Sequence, residues 1–196
     1  MTALLSRPAS ITTARPTTAS TTTARSHLLD ALAGLPLPQQ AGEVPAYLGR
    51  VVAVVAAHPT YWEDFVRFQD GSERYRVRLP LPVEAEVWLI TWRTFQGTDL
   101  HDHGLSDSAF ATVRGALHEV RPVQGRLIPR KIIPGIVHHI PAGRIHDVRN
   151  ELAGPAVSIH AYSPQLEVTT YYSWRDGTAH FERTEIGPEA EASGWL

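Results

Sequence analysis

The sequence of 196 residues contains no cysteine, which excludes a disulfide framework, a thiolate metal site, an iron–sulfur cluster and a cysteine nucleophile. It has no surplus of positive charge, since 18 Lys and Arg residues face 20 Asp and Glu residues and the net charge is −2. Non-specific nucleic-acid binding is therefore not expected. No apolar run approaches the roughly 18 to 20 residues that span a bilayer. We expect a cytoplasmic protein, a monomer, without nucleic-acid or membrane partners.

The chain is long enough for one domain with a sizeable core. Residues 1–26 are mostly Thr, Ala, Ser, Pro and Arg, with no acidic residue and no apolar periodicity, and this composition favours a disordered tail. Arg-rich, acid-free leaders also resemble organelle transit peptides, so that alternative stays open. Residues 27–196 are expected to form a single domain.

Two helices are predicted ahead of the main body. One covers residues 27–33 and is closed by Gly34, and the other covers residues 44–57 and ends before Pro59. From about Tyr75, short apolar runs alternate with turn residues, a texture typical of an antiparallel barrel or jelly roll. The predicted strands cover residues 87–92, 110–113, 126–133, 137–140, 157–162 and 168–174. The prediction is a mainly β fold with short N-terminal helices.

Ten histidines are the candidate metal ligands in a chain without cysteine. His101 and His103 flank Asp102, and on an extended segment residues two apart point to the same side, so both imidazoles can face one ion. Taken alone, such a pair also fits an ordinary surface loop. Of the adjacent His138 and His139, at most one can point into a barrel.

The strongest pattern in the chain resembles the second motif of the cupin superfamily, G-x5-P-x-G-x2-H-x3-N. It is formed by Gly135, Pro141, Gly143, His146 and Asn150. The first cupin motif is recognisable in His101, His103 and Gly115, but Ser108 stands where many cupins carry a glutamate ligand. The resemblance implies a double-sheet antiparallel β-barrel.

The predicted ligand set consists of three neutral imidazoles, those of His101, His103 and His146. Such a set leaves the 2+ charge of an ion uncompensated and part of its coordination sphere open, so an anionic ligand is favoured there. Three histidines can hold zinc, and they also suit ferrous iron that binds a substrate and dioxygen together. The spacing leaves the choice of metal open.

A polar segment provides a second candidate group. Ser158, His160 and Tyr162 alternate along a predicted strand, so their side chains share one face and can form a hydrogen-bonded relay. The alternative is a strand with an ordinary polar outer face.

Together these motifs resemble the thiol dioxygenases of the cupin superfamily, especially the bacterial cysteine dioxygenases, over residues 75–172. The resemblance implies that His101, His103 and His146 hold Fe(2+) and that Ser158, His160 and Tyr162 are the catalytic relay. Ser163 and Pro164 match the Ser-Pro pair that follows the relay in this family, and the resemblance implies that the peptide bond between them can be cis. Because Ser108 stands where animal enzymes have a cysteine linked to the relay tyrosine, Tyr162 is an unmodified phenol.

The resemblance implies oxidation of L-cysteine to cysteine sulfinate with O2. Tyr162 and an arginine on an early strand would bind the substrate carboxylate; Arg78 is the best match and Arg76 the fallback. One alternative is dioxygenation of 3-mercaptopropionate or another small thiol. An alternative of another class is a non-catalytic cupin that binds a metal or a small acid, because a fold does not guarantee chemistry.

Overall fold

Three helices precede the sheets in the computed structural model, which describes residues 18–71 and 73–187. Helix α1 spans Thr18–Ala33, α2 spans Val44–Ala56 and α3 spans Pro59–Trp62, and 3₁₀ turns lie at Ala41–Glu43 and Glu63–Phe65. Helix α2 has a proline in its first turn, where the missing N–H would have had no partner. Its Leu48, Val51, Val52 and Val55 are fully buried and form the face that packs on the sheet.

Helix α1 begins earlier than the sequence predicts. Residues 18–26, expected to belong to the tail, are helical, and residues 1–17 lie outside the described residues. The part of the helix that packs on the other helices carries Leu28 and Leu32, with 0% and 4% exposure. Residues 18–26 contain no large apolar side chain, so periodicity could not reveal that the helix extends through them.

Eleven strands follow within the described residues, arranged in one five-stranded and two three-stranded antiparallel sheets. They are β1 (Arg76–Arg78), β2 (Glu86–Trp92), β3 (Leu100–Asp102), β4 (Asp107–Arg114), β5 (Leu117–Val123), β6 (Arg126–Ile132), β7 (His138–Ile140), β8 (Asp147–Arg149), β9 (Ala156–Ser163), β10 (Val168–Arg175) and β11 (Thr178–Ile186). The strand orders are β1-β2-β9-β4-β7, β11-β10-β3 and β6-β5-β8. The expected mainly β, double-sheet antiparallel barrel with N-terminal helices is confirmed.

Two isolated bridges join the three-stranded sheets into one wall. Gly97 pairs with Arg149, and His101 pairs with His146. These bridges place the β3 region beside the β8 region, so the combined wall runs from β11 to β6 opposite the five-stranded sheet. Two of the predicted metal ligands therefore lie at the seam of this wall.

The five-stranded sheet has two faces of different character. Its outer face carries small and branched apolar side chains, such as Val87, Leu89 and Ile159, which pack against α2. Its inner face carries Ser158, His160 and their cross-strand neighbours, because residues directly opposite on adjacent strands point the same way. The helices therefore bury one face, and the other lines the barrel.

The Ser163–Pro164 peptide is cis. Among the described residues, no helix has both the length and the apolar character of a membrane span.

Candidate metal centre

Three histidines converge inside the barrel. His101 lies on β3, His103 follows that strand, and His146 precedes β8; their exposures are 2%, 3% and 2%. The Nε2 atom of His103 lies 3.2 Å from Nε2 of His101 and 3.5 Å from Nε2 of His146. The main chains of His101 and His146 exchange two hydrogen bonds, of 2.8 and 2.9 Å. The structure thus brings together the three residues predicted as ligands.

Each of the three rings contacts an oxygen atom at Nδ1. His101 Nδ1 donates to the carbonyl of Asp99 at 2.8 Å, and His146 Nδ1 donates to the carboxylate of Glu119 at 3.1 Å. Ser108 Oγ lies 3.2 Å from Nδ1 of His103. A carbonyl and a carboxylate can only accept, so neutral His101 and His146 carry their proton on Nδ1 and turn the Nε2 lone pair toward the cluster.

The donor set fits a divalent metal ion. Two nitrogen atoms that each lie about 2.1 Å from one ion, at angles of about 90° to 110°, are separated by about 3.0 to 3.4 Å. The Nε2 separations of His103 from His101 and from His146, 3.2 and 3.5 Å, agree with that spacing. Ser108, at the position of the glutamate of many cupins, contacts His103 Nδ1 and adds no carboxylate to the set. The group is therefore neutral and can hold a metal.

Glu119 on β5 supports His146 from behind. Its side chain is fully buried; its carboxylate accepts hydrogen bonds from His146 and, at 2.8 Å, from Arg130, and it forms an ion pair with Arg121 at 2.8 Å. Burial opposes ionisation, but the hydrogen bonds and charges of His146 and Arg121 outweigh it and lower the pKa of the carboxyl to about 2. Glu119 is therefore an anion at neutral pH.

Asp102, the last residue of β3, lies between His101 and His103 in the sequence, faces away from the cluster and fixes the end of the strand. One carboxylate oxygen accepts the main-chain N–H of Gly104 at 2.8 Å, and the other accepts the hydroxyl of Tyr172 at 2.6 Å. Burial and this hydrogen bond raise the pKa of Tyr172 to about 12, so the phenol stays protonated and continues to donate.

The polar residues of β9 lie on the inner face next to the histidines. Ser158 Oγ is 2.8 Å from His160 Nε2 and accepts a hydrogen bond of 2.8 Å from the indole N–H of Trp92. The rings of His160 and Tyr162 are stacked at 14°, with centroids 6.4 Å apart. Tyr162 is 1% exposed, and its ring meets that of His103 edge to face at 5.1 Å. The predicted relay residues therefore lie in a row that ends beside a predicted ligand.

Phe110 on β4 fills the space between this row and the opposite wall. Its ring stacks on His160 at 5.0 Å and 9°, and it also contacts His146 and His138. His138 is buried and His139 is exposed, which confirms that only one of the pair can face inward. Burial and the neighbouring Arg130 lower the pKa of His138, which favours its neutral form.

The three arginines that alternate before β2 have different surroundings. Arg78 lies 3.5 Å from the buried carboxylate of Glu86 and lines a cavity of about 270 Å³ together with Tyr162. Arg76 lies over the ring of Trp88 at 5.3 Å. Arg74 is 7% exposed and lies over Trp92 at 4.8 Å. Of the two predicted substrate-binding arginines, Arg78 therefore lies in a cavity with Tyr162.

Sequence reasoning missed two of these residues. Glu119 belongs to no motif, and its neighbours His118 and Arg121 on β5 are also polar, so nothing in the sequence separates it from them. Arg74 belongs to the same alternating series as Arg76 and Arg78, so periodicity gave no reason to separate it from them. Its burial against Trp92, the residue that donates to Ser158, distinguishes it in the structure.

Three solved structures illustrate the similarity to known folds. A protein from Thermus thermophilus is 22% identical, with 53% of this chain and 93% of that chain covered and a TM-score of 0.46. An uncharacterized conserved protein with a double-stranded β-helix domain from Klebsiella pneumoniae is 17% identical, with 61% and 90% covered and a TM-score of 0.43. A cupin superfamily protein from Desulfitobacterium hafniense is 11% identical, with 52% and 85% covered and a TM-score of 0.43.

No curated protein matches the chain. A protein-family model does match: the family described as cysteine dioxygenase type I is found over residues 39–126. The matched residues include His101, His103 and Glu119, whereas His146 and the β9 row lie outside them. The family points to a dioxygenase that acts on thiols. The resemblance expected from the motifs is confirmed over residues 39–126, and this part of the chain is similar to the cysteine dioxygenase family.

Proposed function

We propose that this protein is an iron(II)-dependent dioxygenase that oxidises the thiol of L-cysteine to cysteine sulfinate. The reaction adds both atoms of one O2 molecule to the sulfur of one thiol, so R–SH and O2 give R–SO2H without a further reductant. The observation that carries the proposal is the buried group of three histidines with Tyr162 against one of its rings.

The charge of the ligand set favours an anionic substrate. His101, His103 and His146 would hold the iron, which would supply open coordination positions for a thiolate and for dioxygen. The three side chains contribute no negative charge, so an anionic thiolate is the ligand that such a set favours. Oxygen anchors at Nδ1 orient the three rings before substrate arrives, and this reduces the reorganisation that binding requires.

The residues of β9 would orient the substrate. The Tyr162 hydroxyl can donate a hydrogen bond to a substrate carboxylate or to a developing sulfinate oxygen. His160 stacks beside Tyr162, Ser158 contacts His160, and Trp92 donates to Ser158, so each member of the row restrains the next. All four side chains are buried, which excludes water from the face on which the oxidation would occur.

The cavity beside Tyr162 favours a substrate with charges of both signs. Its lining includes the guanidinium of Arg78 and the carboxylates of Glu84 and Glu86. Arg78 offers a fork of N–H donors to a carboxylate, and the glutamates complement an ammonium group. Cysteine has both groups, whereas 3-mercaptopropionate lacks the amine. Arg76, over Trp88, is the second candidate for the carboxylate.

Oxygen uptake tests the proposal. Protein loaded with iron under anaerobic conditions is mixed with cysteine or 3-mercaptopropionate, and the product is identified by mass spectrometry. We expect iron-dependent uptake and a product heavier by two oxygen atoms with cysteine, and none with His146→Ala. Uptake only with 3-mercaptopropionate would keep the reaction and replace the substrate. Metal binding without uptake of oxygen would instead identify a non-catalytic cupin.

A further inference from the structure

Glu119 lies outside the motifs that identified the metal centre, yet its carboxylate contacts one of the three histidines. One oxygen, Oε1, accepts from His146 Nδ1 at 3.1 Å and lies 2.8 Å from Nη2 of Arg121 in an ion pair. The other, Oε2, accepts from Arg130 at 2.8 Å. Arg130 stands directly opposite Glu119 in the β5–β6 pair, so the register of the sheet sets this contact. Both carboxylate oxygens are therefore held.

Fold stability does not explain a carboxylate at this position. Glu119 is fully buried on the same side of β5 as Leu117, where an apolar residue would pack without desolvating a charge. A buried ion pair is often no more stabilising than apolar side chains of similar volume. Arg130 keeps half of its side chain in solvent, so it does not need Glu119 in order to be satisfied. An apolar residue at position 119 would remove the acceptor of the His146 Nδ1 proton.

The three Nδ1 anchors are unequal. His101 donates to a main-chain carbonyl, and His103 faces the hydroxyl of Ser108, which can donate or accept. The acceptor of His146 Nδ1 is a carboxylate. A carboxylate that accepts the Nδ1 proton draws it away from the ring and makes the opposite nitrogen a stronger donor to a metal. Glu119 should therefore strengthen His146 as a metal ligand.

We propose that Glu119 is a positioning residue for the metal: it keeps the proton of His146 on Nδ1 and directs the Nε2 lone pair at the ion. Arg121 and Arg130 hold the carboxylate in the orientation that this requires. The inference rests on the metal-binding part of the proposed function and does not depend on which thiol is the substrate.

Metal affinity of the full chain tests this role. Co(II) is titrated into metal-free wild-type protein and Glu119→Gln, and the visible absorption of the bound ion gives the dissociation constant. Glu86→Gln is the matched control for metal affinity alone: Glu86 is also a buried carboxylate paired with an arginine, but it contacts Arg78 and the Leu166 N–H and lines the proposed substrate cavity instead of meeting a histidine of the cluster. We expect a loss of roughly 10- to 100-fold in affinity for Glu119→Gln and none for Glu86→Gln.

Two further measurements separate positioning from a merely structural role. Nitrogen-15 NMR of the metal-free protein reports which ring nitrogen of His146 carries the proton, and we expect Nδ1 in the wild type and a shift toward Nε2 in Glu119→Gln. Arg130→Gln removes one support of the carboxylate at a half-exposed position, and it tests the same idea if Glu119→Gln does not fold. It should weaken Co(II) binding in the same direction but by less.

The outcomes are distinguishable. Wild-type protein that binds no Co(II) would overturn the proposed function and this inference with it. Wild-type protein that binds Co(II) while Glu119→Gln binds it equally well, with His146 still protonated on Nδ1, would overturn the inference alone. Equal losses in Glu119→Gln and Glu86→Gln would likewise overturn it, because the effect would then come from burying an altered ion pair anywhere in the barrel.

Discussion

Replacing Trp92 by phenylalanine removes one hydrogen bond from the row of polar residues on β9 and leaves the predicted metal ligands unaltered. The indole N–H donates to Ser158 Oγ at 2.8 Å, and both residues are fully buried. Such a bond contributes about 1 kcal/mol net. The smaller ring leaves a cavity that costs about 1 to 2 kcal/mol more. The free energy of unfolding should fall by about 2 to 3 kcal/mol, while phenylalanine keeps an aromatic face for Arg74.

The catalytic effect follows from the bond that is lost. Without this bond, Ser158 restrains His160 less, and His160 in turn restrains Tyr162 less. If this raises the activation free energy by about 1 kcal/mol, kcat with cysteine should fall roughly five- to tenfold. The substrate KM and the iron content should not change, because Trp92 lines neither the Arg78 cavity nor the histidine group.

A second tryptophan supplies the control. Trp62 is also buried and donates its indole N–H, to Ala56 at 3.4 Å, but it belongs to the core between the helices and the outer face of the sheet. Trp62→Phe should lose about 1 to 2 kcal/mol of stability and keep the wild-type kcat. Oxygen-electrode rates and urea unfolding of both variants check this. A wild-type kcat for Trp92→Phe, or an equal fall in both variants, would refute the reasoning.

Two further predictions concern stability. Gly115→Ala should be destabilised by about 1 to 3 kcal/mol more than Gly135→Ala in urea unfolding. Both glycines have positive φ, +71° and +90°, but of the two only Gly115 has main-chain atoms close to a new Cβ, the carbonyl oxygen of Pro155 at 2.6 Å and Ala156 Cα at 3.0 Å. Equal losses of stability in the two variants would contradict this. In metal-free protein, stability should decrease by about 3 kcal/mol as the pH falls from 4.5 to about 2, because the pKa of Glu119 is lowered over that interval and the unfolded chain takes up the proton first. Glu119→Gln should lack this decrease when the two proteins are unfolded side by side in urea at several pH values.

Two of the predicted strands are buried almost throughout. Residues 87–92 and 157–162 lie within β2 and β9, whose side chains are buried almost throughout. Strand β11 was not predicted, because most of its side chains are exposed and show no alternation of apolar and polar residues. Strand β5 was not predicted either, since Glu119 and Pro122 interrupt its apolar pattern. Both exceptions depend on partners elsewhere in the chain.

The candidate site was predictable where sequence spacing decides geometry. His101 and His103 are two residues apart at the end of β3, and Ser158, His160 and Tyr162 alternate along β9, so the spacing alone predicts that each set shares one side. Contacts between distant segments of the chain could not be predicted from spacing. Glu119 precedes His146 by 27 residues on another strand, and no spacing rule connects them. The sequence also does not show which of the alternating arginines lies in the cavity, because this depends on the distant residue that each one contacts: Trp92 for Arg74, Trp88 for Arg76 and Glu86 for Arg78.

The main-chain bridge between His101 and His146 has a consequence for metal exchange. The backbones of His101 and His146 are joined by two hydrogen bonds. The Nδ1 atom of each ring is also hydrogen-bonded to an oxygen atom of the protein, the Asp99 carbonyl for His101 and the Glu119 carboxylate for His146. In zinc fingers the ion itself assembles the ligands, so removing it unfolds the chain. Here the ligand frame is part of the barrel's hydrogen-bond ladder. Chelation should therefore strip the ion from a folded protein, and the same preparation can be reloaded with different divalent metals without passing through the unfolded state.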